Sequence, residues 1–217
     1  MKRIGIRGTI IPNDYKDIYD YFGIESTCPA DVIKGISEAA GDEITFEINS
    51  GGGAIFAGSE IYNAIRSHPG NKKIEIVGFA GSAASVIACA AHSSIAPTGM
   101  LMVHNVSCYV GSGNHSTFEH EAQVLRECDK AIAAAYVQKT GMSQEEVLKL
   151  MDEETWINAE NAVSMGFVDE ITQSPGLYNG FCEILSSEQI AKAREALSGK
   201  AVEEEKINIL KLEVKHD

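Results

Sequence analysis

Ser85 and His104 are the two residues whose types and spacing point most directly to chemistry. Ser85 lies in the run Gly81–Ala88, which follows a strand-like segment and continues into small apolar residues. The pattern predicts a strand, a tight turn and a helix, with the Ser85 hydroxyl near the positive end of the helix dipole. Such a position stabilises a developing oxyanion and suits a nucleophile. The alternative is that Ser85 is a small residue where helices pack closely.

A serine hydroxyl becomes a good nucleophile when a base removes its proton, and the base is usually a histidine. Of the six histidines, His104 is the one that ends an apolar strand-like segment, Met100–Val103. It follows Ser85 by 19 residues, about the length of one helix and a returning strand. The spacing favours a Ser85–His104 pair, and the alternative is a hydrogen-bonded histidine at a strand end.

Three consecutive glycines, Gly51–Gly53, end another strand-like segment. Glycines there allow backbone amides to approach a substrate carbonyl without a side chain in the way. We expect the amides of Gly53 and Val86 to form a two-donor oxyanion hole. A plain tight turn is the alternative.

Strand-like and helix-like segments alternate along the chain. Period-two and short apolar patterns predict strands over 3–7, 43–48, 73–78, 93–96 and 101–104, and helical patterns predict helices over 30–40, 54–67 and 115–139. This rhythm indicates an α/β fold with a largely parallel sheet. Because active sites of such folds gather at the carboxyl ends of strands, the glycine run, the serine turn and His104 are expected near one another.

Composition excludes some classes of function. The net charge of −13 argues against a nucleic-acid partner, and no run of 18 apolar residues predicts a membrane span. The first residues predict a strand rather than a leader, and five scattered cysteines predict reduced thiols in a cytoplasmic protein. No pattern predicts a metal or cofactor. We expect a catalytic domain over 1–174 and an appendage over 175–217.

Four blocks of sequence resemble the proteolytic subunit of the Clp protease family. They occur in order over about four-fifths of the chain, and they are Ile48–Gly53, Gly78–Ser85, Ala96–Asn105 and Trp156–Asp169. The resemblance implies a serine endopeptidase with the fold shared by Clp proteases and crotonases. That fold is a superhelix of β-β-α units with an extended handle, made of a strand and a long helix.

The resemblance also implies roles for individual residues. Ser85 corresponds to the nucleophile, His104 to the general base, and Gly53 and Val86 to the oxyanion donors. The position of the family's catalytic aspartate is occupied by Glu154, and the neighbouring Asp152 and Glu153 are rivals for this role.

Substrate backbone is expected beside Gly52 and beside a handle strand over 105–113. That strand would begin with Asn105, Val106 and Ser107.

The resemblance also implies partners. The first is a peptide or protein substrate, and the second is further copies of the chain, which would form a heptameric ring or stacked rings. The third is an ATP-driven unfoldase of the AAA+ class. The short serine-to-histidine interval resembles the phage-type branch, which predicts a head-maturation (prohead) protease acting beside capsid and portal proteins.

Two other functions fit parts of the sequence. A crotonase-type acyl-CoA hydratase or isomerase would share the fold and the oxyanion hole, but it would rely on paired carboxylates. A non-catalytic ring or capsid scaffold would keep the fold without chemistry.

Overall fold

A computed structural model describes residues 1–39, 41–109 and 111–172. The appendage expected over 175–217 lies outside the described residues. The strands are β1 (Lys2–Ile10), β2 (Ser26–Thr27), β3 (Ile44–Gly53), β4 (Lys72–Gly81), β5 (Ser93–Ile95), β6 (Met100–Val103), β7 (Thr155–Asn158) and β8 (Glu170–Ile171). The helices are α1 (Lys16–Tyr21), α2 (Pro29–Glu38), α3 (Ile55–Ser67), α4 (Ala83–Ala88), α5 (His115–Thr140), α6 (Gln144–Asp152) and α7 (Ala159–Ser164).

The strands form one mixed sheet that is mostly parallel. Its order is β2-β1-β3-β4-β5-β8, and every pairing along this path is parallel. β7 is the exception, because it pairs antiparallel with β6. The predicted α/β class with a parallel sheet is therefore confirmed, whereas the short strands β2, β7 and β8 were not predicted.

β4 has different neighbours along its two halves, and this positions the candidate site. Its first half pairs with β5 and its second half with β6, through Phe79, Ala80 and Gly81. β6 therefore ends beside the last residue of β4. The carboxyl ends of β3, β4 and β6 meet at one edge of the sheet. In proteins with parallel sheets, binding and active sites lie at this edge.

The core lies between this sheet and the helices packed on it. Phe46 in the centre of β3 is fully buried, as are Ile61 of α3 and Ile87 of α4. All six residues of α4 are buried, so this short helix is an internal element rather than a surface one. Burial of this kind, more than local helix propensity, stabilises so short a helix.

The long helix α5 divides into two halves. None of the residues from His115 to Cys128 is buried, whereas Asp129, Ala133, Ala135 and Tyr136 are. The helix ends at Gly141 in a left-handed conformation with φ of 77°, which is typical of glycine at the end of a helix.

The next helix, α6, begins with a capping box. The Ser143 hydroxyl accepts a hydrogen bond from the Glu146 amide at 3.2 Å, and the Ser143 amide donates one to the Glu146 carboxylate at 2.9 Å.

The segment after His104 does not form the predicted handle strand over 105–113. Residues 105–109 and 111–113 are irregular and form no hydrogen-bonded ladder with another strand, so the prediction is wrong for them.

In the described part of the chain, no helix is both long and apolar enough to cross a membrane.

Candidate active site

Ser82 lies at the sharp turn between β4 and α4, in a backbone conformation that residues other than glycine rarely adopt. Its φ is 53° and its ψ is −126°. A non-glycine residue in such a region costs about 1–3 kcal/mol and persists only where the surrounding structure enforces it. A strained strand-to-helix turn of this type presents the nucleophile in α/β-hydrolases. The geometry thus draws attention to Ser82, which sequence reasoning missed.

The register between β4 and β6 brings His104 to this serine. Gly81 pairs with Met102, and the Ser82 amide donates a hydrogen bond to the Met102 carbonyl at 2.9 Å. His104 follows two residues later, and its Nε2 lies 2.8 Å from the Ser82 Oγ. A nucleophile and a base within hydrogen-bond reach are the minimum requirement for general-base activation.

The predicted pairing of Ser85 with His104 is wrong. Ser85 is fully buried in α4, one helical turn beyond Ser82. Its Oγ donates to the Ser82 carbonyl at 2.6 Å and lies 2.7 Å from the Tyr136 hydroxyl. The Ser85 hydroxyl is therefore occupied inside the core, away from the imidazole.

Of the two predicted oxyanion donors, Gly53 lines the cleft and Val86 does not. The Val86 amide donates to the Ser82 carbonyl at 3.3 Å, so it is used within the helix and the prediction for Val86 is wrong. The Ala83 amide differs from that of Val86, because the amide of the first residue of a helix has no partner inside that helix. Ala83 and Gly53 both line the cleft that contains Ser82 and His104.

Gly52 forms the wall behind the serine. A Cβ atom at Gly52 would lie 2.7 Å from the Ser82 Cβ and 2.9 Å from the Ala83 nitrogen. The glycine also has φ of 97°, and its amide donates to the Ser50 Oγ at 3.1 Å. The Ser50 hydroxyl in turn donates to the Gly8 carbonyl at 2.6 Å, which ties the glycine turn to β1.

The two candidate acids have other hydrogen-bond partners. The Asp152 Oδ1 accepts from the Asn105 side-chain amide at 2.7 Å, and the Glu154 Oε1 accepts from the Trp156 indole at 3.2 Å. Within the described residues, no carboxylate is hydrogen-bonded to His104, so neither Glu154 nor Asp152 completes a triad in this conformation.

The backbone around Glu154 nevertheless places it near the histidine. β6 and β7 pair antiparallel with Val103 opposite Thr155, so His104 and Glu154 are the next residues beyond that pair. Glu154 also has a positive φ of 46°, at the turn after α6. A non-glycine residue in this region is uncommon and is a mark of a constrained turn.

Asn105, Val106 and Ser107, predicted to contact substrate, line one side of the cleft. Side chains from two helices hold this segment. Besides the Asn105–Asp152 bond, the Val106 amide donates to the buried Asp129 carboxylate of α5 at 2.7 Å. The cleft has a volume of about 380 Å³.

A second and larger cavity of about 780 Å³ lies between α3 and α5. It shares Ile55, Ala83 and Ile132 with the cleft, so it opens next to the serine. Its other apolar lining includes Val86 and Ala135. The cleft that contains Ser82 and His104 therefore adjoins a larger and mostly apolar cavity.

Comparison with known proteins identifies the family. The family model described as Clp protease matches residues 30–175, which is more than half of the 217-residue chain. The chain therefore belongs to the Clp protease family.

Individual relatives agree with this assignment. ATP-dependent Clp protease proteolytic subunit 1 of Streptomyces avermitilis is 30% identical over 141 residues, which cover 64% of each protein. The protein of the same name from Chlamydia abortus is 31% identical over 137 residues, covering 60% of this chain and 70% of the relative. The matched region is thus less than two thirds of the Streptomyces protein.

A solved structure gives the same fold. A ClpP1 mutant from Listeria monocytogenes superposes with a TM-score of 0.64 at 24% sequence identity. The superposition covers 80% of this chain and 92% of the Listeria chain. The predicted Clp protease fold, a mixed α/β fold with a mostly parallel sheet, is therefore confirmed, apart from the strand of its handle.

The close packing of Gly52 against Ser82 yields a testable prediction. We expect Gly52→Ala to reduce the rate of labelling by a fluorophosphonate probe at least about 100-fold, since displacing a reactive group by about 1 Å has effects of this size. Gly23→Ala is the matched control, because Gly23 also has a positive φ but has open space around its Cβ position. It should lose about 1 kcal/mol of stability and label normally. Equal labelling of both variants would contradict the packing argument.

Proposed function

We propose that this chain is a serine endopeptidase in which Ser82 is the nucleophile and His104 is the general base. One observation carries the assignment: the Ser82 Oγ lies 2.8 Å from the His104 Nε2 at a strained strand-to-helix turn. Membership of the Clp protease family supports the same reaction class. Ser85 then has a structural role, which is developed below.

The proposed reaction follows the general chemistry of serine acyl transfer. His104 Nε2 accepts the proton of Ser82 as its Oγ attacks the peptide carbonyl carbon. The amides of Ala83 and Gly53 donate to the carbonyl oxygen as it becomes an oxyanion. His104 then gives the proton to the leaving amine. In the second half of the reaction His104 accepts a proton from water as the water oxygen attacks the acyl carbon, and it returns that proton to the Ser82 Oγ as the ester bond breaks.

We assign the third member of the triad to Glu154 rather than to Asp152. The register of β6 and β7 supports Glu154, which follows directly after the residue opposite Val103. Asp152 has a role of its own in holding Asn105. Rotation of the Glu154 side chain away from Trp156 would bring its carboxylate to the Nδ1 side of the imidazole, where it would fix the tautomer.

The apolar cavity beside Ala83 is proposed to accept the substrate side chain that precedes the scissile bond. Its position next to the nucleophile and its shared wall with the cleft support this assignment. Burial of an aliphatic or aromatic side chain there would contribute about 1.5–3 kcal/mol.

Assembly into rings is also proposed. The first half of α5 has no buried residue and exposes Phe118 and Val124, so its apolar positions are available for a second copy of the chain. The Streptomyces and Chlamydia relatives carry names that describe ATP-dependent proteolytic subunits. By analogy, an ATP-driven unfoldase is the proposed partner for protein substrates. A role in phage head maturation remains a prediction from the sequence resemblance.

The nucleophile assignment is tested with the fluorophosphonate probe and with peptide hydrolysis. Ser82→Ala should abolish labelling, and His104→Ala should lower kcat by about 10⁴-fold or more, as for other serine peptidases. Labelling is read by intact-protein mass, and the modified residue by peptide mapping. Labelling that persists in Ser82→Ala would overturn the assignment, and a label on Ser85 would restore the original prediction.

The acid is tested by comparing two isosteric variants. Glu154→Gln should lower kcat by up to about 10⁴-fold, because the imidazole loses the carboxylate that orients it and stabilises its cation. Asp152→Asn should have a smaller effect, and Glu153→Gln on the exposed neighbour is the control for general charge. A larger kcat loss in Asp152→Asn than in Glu154→Gln would reverse the assignment.

Substrate preference is tested with fluorogenic peptides that differ only in the residue before the scissile bond. Leu, Met or Phe there should give a kcat/KM at least about 10-fold higher than Asp or Lys, since an apolar cavity stabilises an apolar side chain. Ala135→Glu would place a charge in the cavity and should reduce the preference. Equal rates for leucine and aspartate peptides would exclude the cavity as the specificity pocket.

A further inference from the structure

A chain of buried hydroxyl groups connects α5 to the nucleophile turn. Tyr136 of α5 is 1% exposed and Ser85 of α4 is fully buried. Their hydroxyl oxygens are 2.7 Å apart, and the Ser85 Oγ is also 2.6 Å from the Ser82 carbonyl oxygen. The proposed reaction uses neither hydroxyl as a reacting group. Two buried hydroxyls that converge on the backbone of the nucleophile therefore need an explanation.

Counting protons gives the direction of this hydroxyl chain. A serine hydroxyl has one proton to donate, and a carbonyl oxygen can only accept. Ser85 therefore donates to the Ser82 carbonyl, so its oxygen accepts the proton of Tyr136. Burial raises the pKa of the Tyr136 hydroxyl, which keeps it protonated as a donor. Hydrogen bonds in such a chain polarise and strengthen one another.

The carbonyl that receives these bonds belongs to the peptide unit that carries the proposed oxyanion donor. Ser82 C=O and Ala83 N–H are parts of one planar trans peptide group and point in opposite directions. Bonds that fix the carbonyl direction therefore fix the direction of the Ala83 amide. The carbonyl also accepts from the amides of Ser85 at 2.9 Å and Val86 at 3.3 Å. The two helical amides hold it toward the helix axis, and the Ser85 hydroxyl holds it from the side.

From this geometry we infer that Tyr136 and Ser85 are positioning residues for catalysis. The chain Tyr136 O–H to Ser85 O–H to Ser82 C=O holds the Ala83 amide aimed at the developing oxyanion and keeps the Ser82 turn in its strained conformation. This inference rests on the proposed function, since it assigns the two residues to the same reaction. It gives Ser85 a role that requires its burial, and it makes α5 part of the active site.

The inference predicts an effect on kcat rather than on KM. An oxyanion donor acts when the tetrahedral intermediate forms, so its misalignment weakens binding of the transition state and leaves substrate binding nearly unchanged. Complete loss of one oxyanion donor costs about 10²–10³ in kcat. Since misalignment removes part of this, we expect Tyr136→Phe and Ser85→Ala each to lower kcat about 10- to 100-fold, with KM within about threefold of the parent.

The experiment measures four variants against the parent in the full chain. They are Tyr136→Phe, Ser85→Ala, the double variant, and Ser94→Ala as a control. Ser94 is 6% exposed in β5, and its hydroxyl bonds to the Ile74 carbonyl at 3.5 Å, so the control deletes a buried hydroxyl away from the cleft. Titration with the fluorophosphonate probe gives the concentration of active sites, and kcat for a leucine peptide is expressed per active site. Unfolded protein then cannot imitate a catalytic defect.

A peptide aldehyde provides the second readout. Its tetrahedral adduct with the nucleophilic serine places an oxygen in the oxyanion hole, whereas the uncleaved peptide does not. We expect the affinity for the aldehyde to fall by about the same factor as kcat in both single variants. The double variant should lose no more than the worse single variant, because both hydroxyls act through one carbonyl. Ser94→Ala should keep the parent's kcat and aldehyde affinity.

The outcomes separate this inference from the proposed function. If the parent is unlabelled and inactive, or Ser82→Ala stays active, the proposed function fails and the inference fails with it. If the parent is active and Ser82→Ala is inactive, but Tyr136→Phe and Ser85→Ala keep the parent's kcat per active site, only the inference is overturned. A loss confined to KM, or an equal loss in Ser94→Ala, would also overturn it. A kcat loss matched by the aldehyde affinity supports it.

Discussion

The structure depends on the backbone conformation of one residue, Ser82, which is held at both of its peptide groups. Its amide donates to Met102 of β6, and its carbonyl accepts from the first turn of α4 and from the Ser85 hydroxyl. Each of these bonds contributes about 1 kcal/mol, which together exceeds the cost of about 1–3 kcal/mol for the positive φ. The turn is therefore stable because sheet and helix both enforce it.

The sheet converts this turn into a site. The first half of β4 pairs with β5 and the second half pairs with β6. Of these two neighbours, only β6 ends at the level of Ser82. A histidine placed just after β6 therefore reaches the serine without a long side chain or a special loop. Gly52 closes the other side, because β3 ends beside β4 and a side chain there would occupy the space of Ser82. Three neighbouring strand ends thus supply His104, Ser82 and the glycine wall behind Ser82.

The sequence predicted the class of fold, His104 and Gly53 as lining of the site, and the long helix, since these depend on strong local patterns and on four ordered motif blocks. It placed Ser85 beside His104, whereas the structure places Ser82 there, three residues earlier, and this difference has one physical origin. The strand was predicted to end at Gly78, whereas β4 continues to Gly81. Ala80 and Gly81 look like turn residues locally, but Ala80 pairs with Ser50 of β3 and Leu101 of β6. Pairing with distant strands is not visible in a local pattern. The same three residues separate Val86, the predicted oxyanion donor, from Ala83, which we propose in its place.

The segment after His104 was predicted as a strand and is instead held by two carboxylates from different helices. Asp129 of α5 binds the Val106 amide, and Asp152 at the end of α6 binds the Asn105 side chain. Together with the Tyr136–Ser85 hydrogen bond, these contacts link α5 both to the segment after His104 and to the helix that follows Ser82. Because backbone and loop contacts already fix the position of the histidine, a carboxylate behind it needs only to orient the imidazole ring. A glutamate at a constrained turn can meet that smaller requirement, which supports the proposal of Glu154 as the acid.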